Sequence, residues 1–213
     1  MIQLLRNVGV VLSLILLTAC AKNLQNTSIL GDEFATAIIE ASHLEQIGQQ
    51  GGINLNKADN LRLENTLRPL LSSKVLSSKN IVAILLKNDQ VNAYSLSNQS
   101  NKAYIYFTDG LLKFIENDQQ LAAVAAHELA HIYLSHHLQR LQGSSAKFNR
   151  VQEFEADKLS IKLLIKAGYN GNAAIKLLRL VERLQTNLVI VNKQDYPTIE
   201  QRIANITPLI TAN

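Results

Sequence analysis

The 213-residue chain contains a single cysteine, no tryptophan, three prolines and nine glycines. One cysteine cannot build an internal disulfide framework or a four-cysteine zinc site. So little proline and glycine excludes a collagen-like or Pro/Gly-rich fibre. Charged residues are also scarce, at 18%. Hydrophobic residues make up 47%, enough apolar surface for a packed core, which argues against disorder. The formal charge of +4 is scattered, and no basic stripe marks a nucleic-acid partner. The length fits one domain with a short appendage.

The appendage is at the N-terminus. Arg6 and the terminal amine precede an almost wholly apolar run from Val8 to Leu17. About ten residues are too few for a bilayer, which needs roughly 20, but suit the core of an export signal. The run ends in Leu17-Thr18-Ala19-Cys20, which resembles the lipobox of bacterial lipoproteins. That resemblance implies a signal peptide over 1–19, lipidation of Cys20 and a polar tether over 20–31. Several acyl chains anchor a protein stably without spanning the membrane. Residue 21 is Ala rather than an Asp resembling an inner-membrane retention signal. The expected location is therefore the outer membrane, facing the periplasm. Removal of Arg6 with the leader weakens the basic excess further.

Periodicity predicts an α+β fold. From Asp32, read as an N-cap, Phe34, Ile38, Ala41 and His43/Leu44 recur at helical spacing. A second helix is expected over about 57–72, with Pro69 weakening its last turn. Ile81 to Leu86 and Val91 to Leu96 read as strands. Ala103 to Thr108 is a third strand, with Tyr104, Tyr106 and Thr108 on one face and Ile105 and Phe107 on the other. Gly110 opens a short helix. Further helices are expected over about 118–142, 146–167, 171–186 and 198–211, with Gly143 and Gly168 as C-caps. The expected architecture is a short, mainly antiparallel sheet of about three strands packed on mostly C-terminal helices.

The chemistry concentrates on two of those helices. His127-Glu128-Leu129-Ala130-His131 places two imidazoles four residues apart on one helical face. Such nitrogens can converge on one Zn2+, at about 2.0–2.1 Å each. Glu128 is well placed to take a proton from water activated by the metal. A catalytic zinc also wants a third protein ligand and an open position. Glu153-Phe154-Glu155-Ala156-Asp157 follows, with Glu153 and Asp157 on one face. Glu153 can be the third ligand, and Asp157 can accept the second ring N–H of a ligand histidine. Glu155 reads as solvated, and small Ala156 suits close helix packing. His136, His137 and His43 read as structural or exposed.

HELAH followed by EFEAD resembles the M48 family of zinc metallopeptidases, which includes membrane-bound CAAX-prenyl proteases and bacterial envelope quality-control proteases. The likeness extends to Asn92-Ala93-Tyr94, to Tyr104 through Leu112, to Asp118 through Val124, and to Pro197 through Ile203. It implies a gluzincin-like domain over 32–213, with one zinc per chain held by His127, His131 and Glu153, and Glu128 as general base and acid. It implies Arg202 pairing with an acidic site residue. It also implies a strand edge for substrate at Asn92, Ala93 and Tyr94 or at Tyr104, Ile105 and Tyr106. Many members carry His before the closing proline; here Tyr196 stands there, a phenol able to donate to an oxyanion. The short connection between His131 and Glu153 implies an open cleft, or one covered by a partner.

The implied function is a zinc endopeptidase acting on envelope proteins, with unfolded proteins as substrates and the membrane reached through Cys20. The rival reading is a metal-stabilised, weakly proteolytic binding or chaperone-like lipoprotein. Oligomeric state is not legible in the sequence.

Overall fold

The computed structural model describes residues 28–72, 79–141, 146–187 and 196–211. The expected leader, Cys20, the tether up to residue 27 and Gly143 lie outside these residues. Chain order is α1 (Ser28–Gln49), α2 (Lys57–Leu71), β1 (Asn80–Leu86), β2 (Ala93–Ser97), β3 (Lys102–Thr108), α3 (Asp109–Phe114), α4 (Asp118–Tyr133), α5 (His136–Leu141), α6 (Ala146–Lys166), α7 (Asn172–Asn187) and α8 (Ile199–Thr211). The fold is α+β. Among the described residues no helix is long and apolar enough to cross a membrane.

The sheet order is β1-β3-β2. β1 runs parallel to β3 and β2 antiparallel to it, so the sheet is mixed rather than mainly antiparallel. β3 takes the centre because it is apolar on both faces: Ala103 through Thr108 are all buried. A strand covered on both faces gains most from ladder hydrogen bonds on both edges.

One sheet face, with Leu85, Ala103, Ile105 and Phe107, joins the main core formed by α2, α4, α6 and α7. α4 is its centre; every residue from Gln120 to Ala126 is buried. Its start is set by the Asn117 side chain, which accepts from Gln120 N. Gly110 is demanded by close approach, since a Cβ there would overlap the carbonyl oxygens of Asp89 and Gln90.

The other sheet face packs on α1 through Ile39, Leu86, Tyr104 and Tyr106. Here the helix is rotated away from the expected face, of which only His43 meets the sheet. Phe34, Ile38 and Leu44 are exposed, whereas Ile39 is buried. The three tyrosines explain it, because buried hydroxyls require polar partners. Tyr104 donates to Glu40, Tyr106 meets His43 Nδ1 at 2.9 Å, and Tyr94 donates to Gln46. α1 thus turns Ile39, Glu40, His43 and Gln46 toward the sheet. The helix begins at Ser28, so Asp32 lies inside it rather than capping it.

The helix expected over 118–142 is two helices. Ser135 sits at φ 55, the left-handed region, and α5 leaves in a new direction. Gln139 Nε2 donates to Leu134 O across the break. Gly168, at φ 81, ends α6 as expected. A left-handed non-glycine residue carries a cost of about 1–2 kcal/mol, larger with a branched Cβ. Ser135→Val should therefore lower the unfolding free energy by about 1–2 kcal/mol, and Ser135→Gly should leave it unchanged or raise it. Urea denaturation of both variants checks this.

Candidate metal centre and active site

Three helices supply the site. α4 carries His127, Glu128 and His131; α6 carries Glu153 and Asp157; α8 carries Arg202. Alanines let α4 and α6 approach closely: Ala122, Ala126, Ala130 and Ala156 are all fully buried. With small side chains at the contact, Glu153 reaches the imidazoles directly.

His127 Nε2 and His131 Nε2 are 3.0 Å apart. Glu153 Oε2 lies 3.4 Å from the first and Oε1 3.5 Å from the second. The three donor groups lie within 4.8 Å of one another, and no other such group of three occurs among the described residues. Two imidazole nitrogens and a carboxylate converging on one point form a donor set suited to a borderline-soft divalent ion such as zinc. The second ring nitrogens are also engaged, which turns each Nε2 to the common point. His127 Nδ1 is 3.2 Å from Asp157 Oδ1, and His131 Nδ1 is 2.8 Å from His136 Nδ1. The residues present therefore fit the metal.

The electrostatics favour a cation. Burial alone would push the His127 imidazole down, but its hydrogen bonds to Asp157 and Glu153 prevail and raise it to about 9. Burial and the neighbouring His127 pull His131 down to about 2, leaving its ring neutral. Burial would lift the Glu153 carboxyl, yet His127 and Arg202 hold it well below the usual range. Asp157 is held down against its burial by Arg202, then His127. Arg202 grips Asp157 with two bonds, Nε to Oδ2 at 2.8 Å and Nη2 to Oδ1 at 2.7 Å. The same Nη2 is 3.4 Å from Glu153 Oε2. Glu128 is pushed up to about 7, chiefly by burial. Ser95 on β2, absent from the residues singled out in the sequence, acts in the opposite direction and lowers it. Strand alternation with Ala93 could have found this serine.

His127, Glu128, Asp157 and Arg202 form one wall of a cavity of about 320 Å3. The remaining wall is largely apolar, with Val91, Leu111, Val124, Leu177 and Leu178, together with Asn92 and Ala93. β2 is a sheet edge beside this cavity. Thr108 N donates to Asn92 O at 3.2 Å. By antiparallel alternation, Ala93 and Ser95 then turn their own N–H and C=O groups away from β3.

The expected ligands, the base, Asp157 and Arg202 all come together. Asn92 and Ala93 reach the cavity, but Tyr94 turns to the other sheet face and donates to Gln46. Tyr104, Ile105 and Tyr106 cannot form an edge, because β3 is bonded on both sides. Tyr196 is 42% exposed and outside the cavity lining. Arg202 is instead the donor at the wall. His43 is remote on the opposite sheet face, and His137 is half-buried. His136 was expected to be structural or exposed; it is fully buried and touches a ligand histidine. Nothing in the sequence pattern marks the break at Ser135 that brings it there.

The model of Peptidase family M48 matches residues 57–147. That of Peptidase U49 matches residues 119–212. Among solved structures, the crystal structure of S. mikatae Ste24p superposes with a TM-score of 0.53 at 14% identity. The match covers 93% of the present chain and 65% of the Ste24p chain, so the present chain spans less than two thirds of that structure. This likeness is one of fold. No curated protein matches the chain.

Removing one member of a buried ion pair strands its partner. Arg202→Met should lower the stability of the metal-free protein by about 3 kcal/mol. Adding Asp157→Asn should restore at least half of that loss, as read by urea denaturation of the single and double variants.

Proposed function

We propose that the chain is a zinc-dependent endopeptidase of the peptidase M48 type, located in the cell envelope and anchored through Cys20, that cleaves unfolded or extended envelope proteins in quality control. The observation that carries this reading is the convergence of His127, His131 and Glu153 beside Glu128, with His127 and Glu128 lining a cavity next to the edge strand β2.

His127 Nε2, His131 Nε2 and the Glu153 carboxylate would hold the zinc. When bound, the metal supplies Lewis acidity, polarising the scissile carbonyl and making water acidic enough to lose a proton near neutrality. Glu128 takes that proton on its carboxylate and delivers it to the leaving amine. Ser95 on β2 favours the ionised form of Glu128. An extended substrate pairs its main chain with the outward N–H and C=O groups of Ala93 and Ser95, which demands an unfolded segment rather than a particular sequence. The apolar wall excludes water and accepts an apolar side chain. Arg202 fixes Asp157, and Asp157 fixes the His127 ring.

The full-length protein should bind about one zinc per chain. Glu128→Gln should keep the zinc and lower cleavage of an unfolded protein by about 10²–10⁴-fold. His127→Ala should lose both. Equal cleavage by wild type and Glu128→Gln would remove Glu128 as the base. For the anchor, Cys20→Ser should shift the protein from the membrane to the soluble fraction and abolish incorporation of labelled fatty acid. A variant that still fractionates with membranes and takes up label would exclude anchoring at that residue.

A further inference from the structure

The two ligand histidines are held from behind in different ways. His127 Nδ1 faces the carboxylate of Asp157 at 3.2 Å. His131 Nδ1 faces another imidazole, His136 Nδ1, at 2.8 Å. His136 is fully buried and its ring meets that of His131 edge-on, with centroids 4.9 Å apart. Its far nitrogen, Nε2, lies 3.3 Å from Oε2 of Glu155, a side chain 54% exposed.

Proton placement follows from the geometry. His131 Nε2 lies among the donor atoms, 3.5 Å from Glu153 Oε1. A ring that offers a lone pair at Nε2 carries its proton on Nδ1. That N–H donates to His136 Nδ1, which must accept, so the His136 proton sits on Nε2 and donates to Glu155. The chain of bonds has one consistent direction, from His131 through His136 to Glu155.

His136 is built into this place. Ser135 reverses the chain into the left-handed region so that α5 starts under the site. The fully buried Gln152 on α6 donates to His136 O at 3.4 Å and to Gln139 Oε1 at 2.9 Å, while Arg140 Nε donates to Gln152 at 2.8 Å. α5 is therefore tied to the helix that carries Glu153. A neutral acceptor also suits the charge balance, since Glu128, Glu153 and Asp157 already crowd the site with carboxylates.

We propose that His136 is a positioning residue: by accepting the Nδ1–H of His131 it fixes the tautomer and ring orientation with which His131 meets the metal. This rests on the zinc reading above, and the test separates the two. An Asn at position 136 places its carbonyl oxygen where Nδ1 lies, whereas a Gln places its polar end where Nε2 lies. His136→Asn should therefore keep the zinc affinity of the full-length protein within about threefold. His136→Gln should weaken it by about 10–100-fold, the usual effect of losing the partner behind a ligand histidine. Affinity is read by competition with a chromophoric chelator, and geometry by the absorption spectrum of the Co2+-substituted protein. His136→Asn should match the wild-type spectrum and His136→Gln should not. Thermal unfolding without metal reports any general loss of stability. Equal affinity and spectra in wild type and both variants, or equal loss in both, would overturn the role of His136 while leaving the zinc site standing. A wild-type protein that binds neither ion would overturn both.

Discussion

Two carboxylates one helical turn apart, Glu153 and Asp157, are buried against the histidines of α4, and much of the fold serves to balance them. Buried charge without a partner is strongly destabilising, so each must meet positive charge or a strong donor. His127 lies between the two. Arg202 arrives from the last helix to bind Asp157 at two points and to face Glu153. The C-terminal helix is thus part of the site, although it supplies no metal donor. The strip of alanines on α4 and Ala156 on α6 follows from the same constraint, because bulkier side chains would hold the carboxylates away from the imidazoles.

The arrangement behind the donors is asymmetric. One histidine is held by an ionised carboxylate that is itself paired with Arg202. The other is held by a neutral imidazole that leads to the surface at Glu155. The second arm exists only because Ser135 interrupts what would otherwise be one helix. On an unbroken helix, five residues turn a side chain about 140° from its starting direction, and His136 would point away from His131.

The sheet divides two tasks between its faces. Its apolar face packs on α4 and presents Ala93 of the edge strand toward the cavity and Ser95 toward Glu128. Its tyrosine-bearing face is closed by α1, whose polar side is turned inward to satisfy three hydroxyls. The centre of the sheet goes to β3, which leaves β2 as the edge beside the cavity.

Fold class, the three strands and the donor set were legible in the sequence because each rests on local spacing. Residues four apart on a helix share a face wherever the helix lies, so HELAH and EFEAD announce two histidines and two carboxylates with no knowledge of tertiary structure. Other features were not legible. Hydrophobic spacing in α1 indicated the wrong face, because partners for buried hydroxyls decided its orientation. Strand order, and with it the placing of β2 at the edge beside the cavity, depended on which strand could be buried on both sides. His136 became a partner of His131 through a backbone reversal at a serine that carries no local signal for it. Sequence by itself determined which groups could bind a metal and move a proton. Tertiary structure decided which of them meet, because burial, charge balance and hydrogen-bond satisfaction are settled between elements distant in the chain.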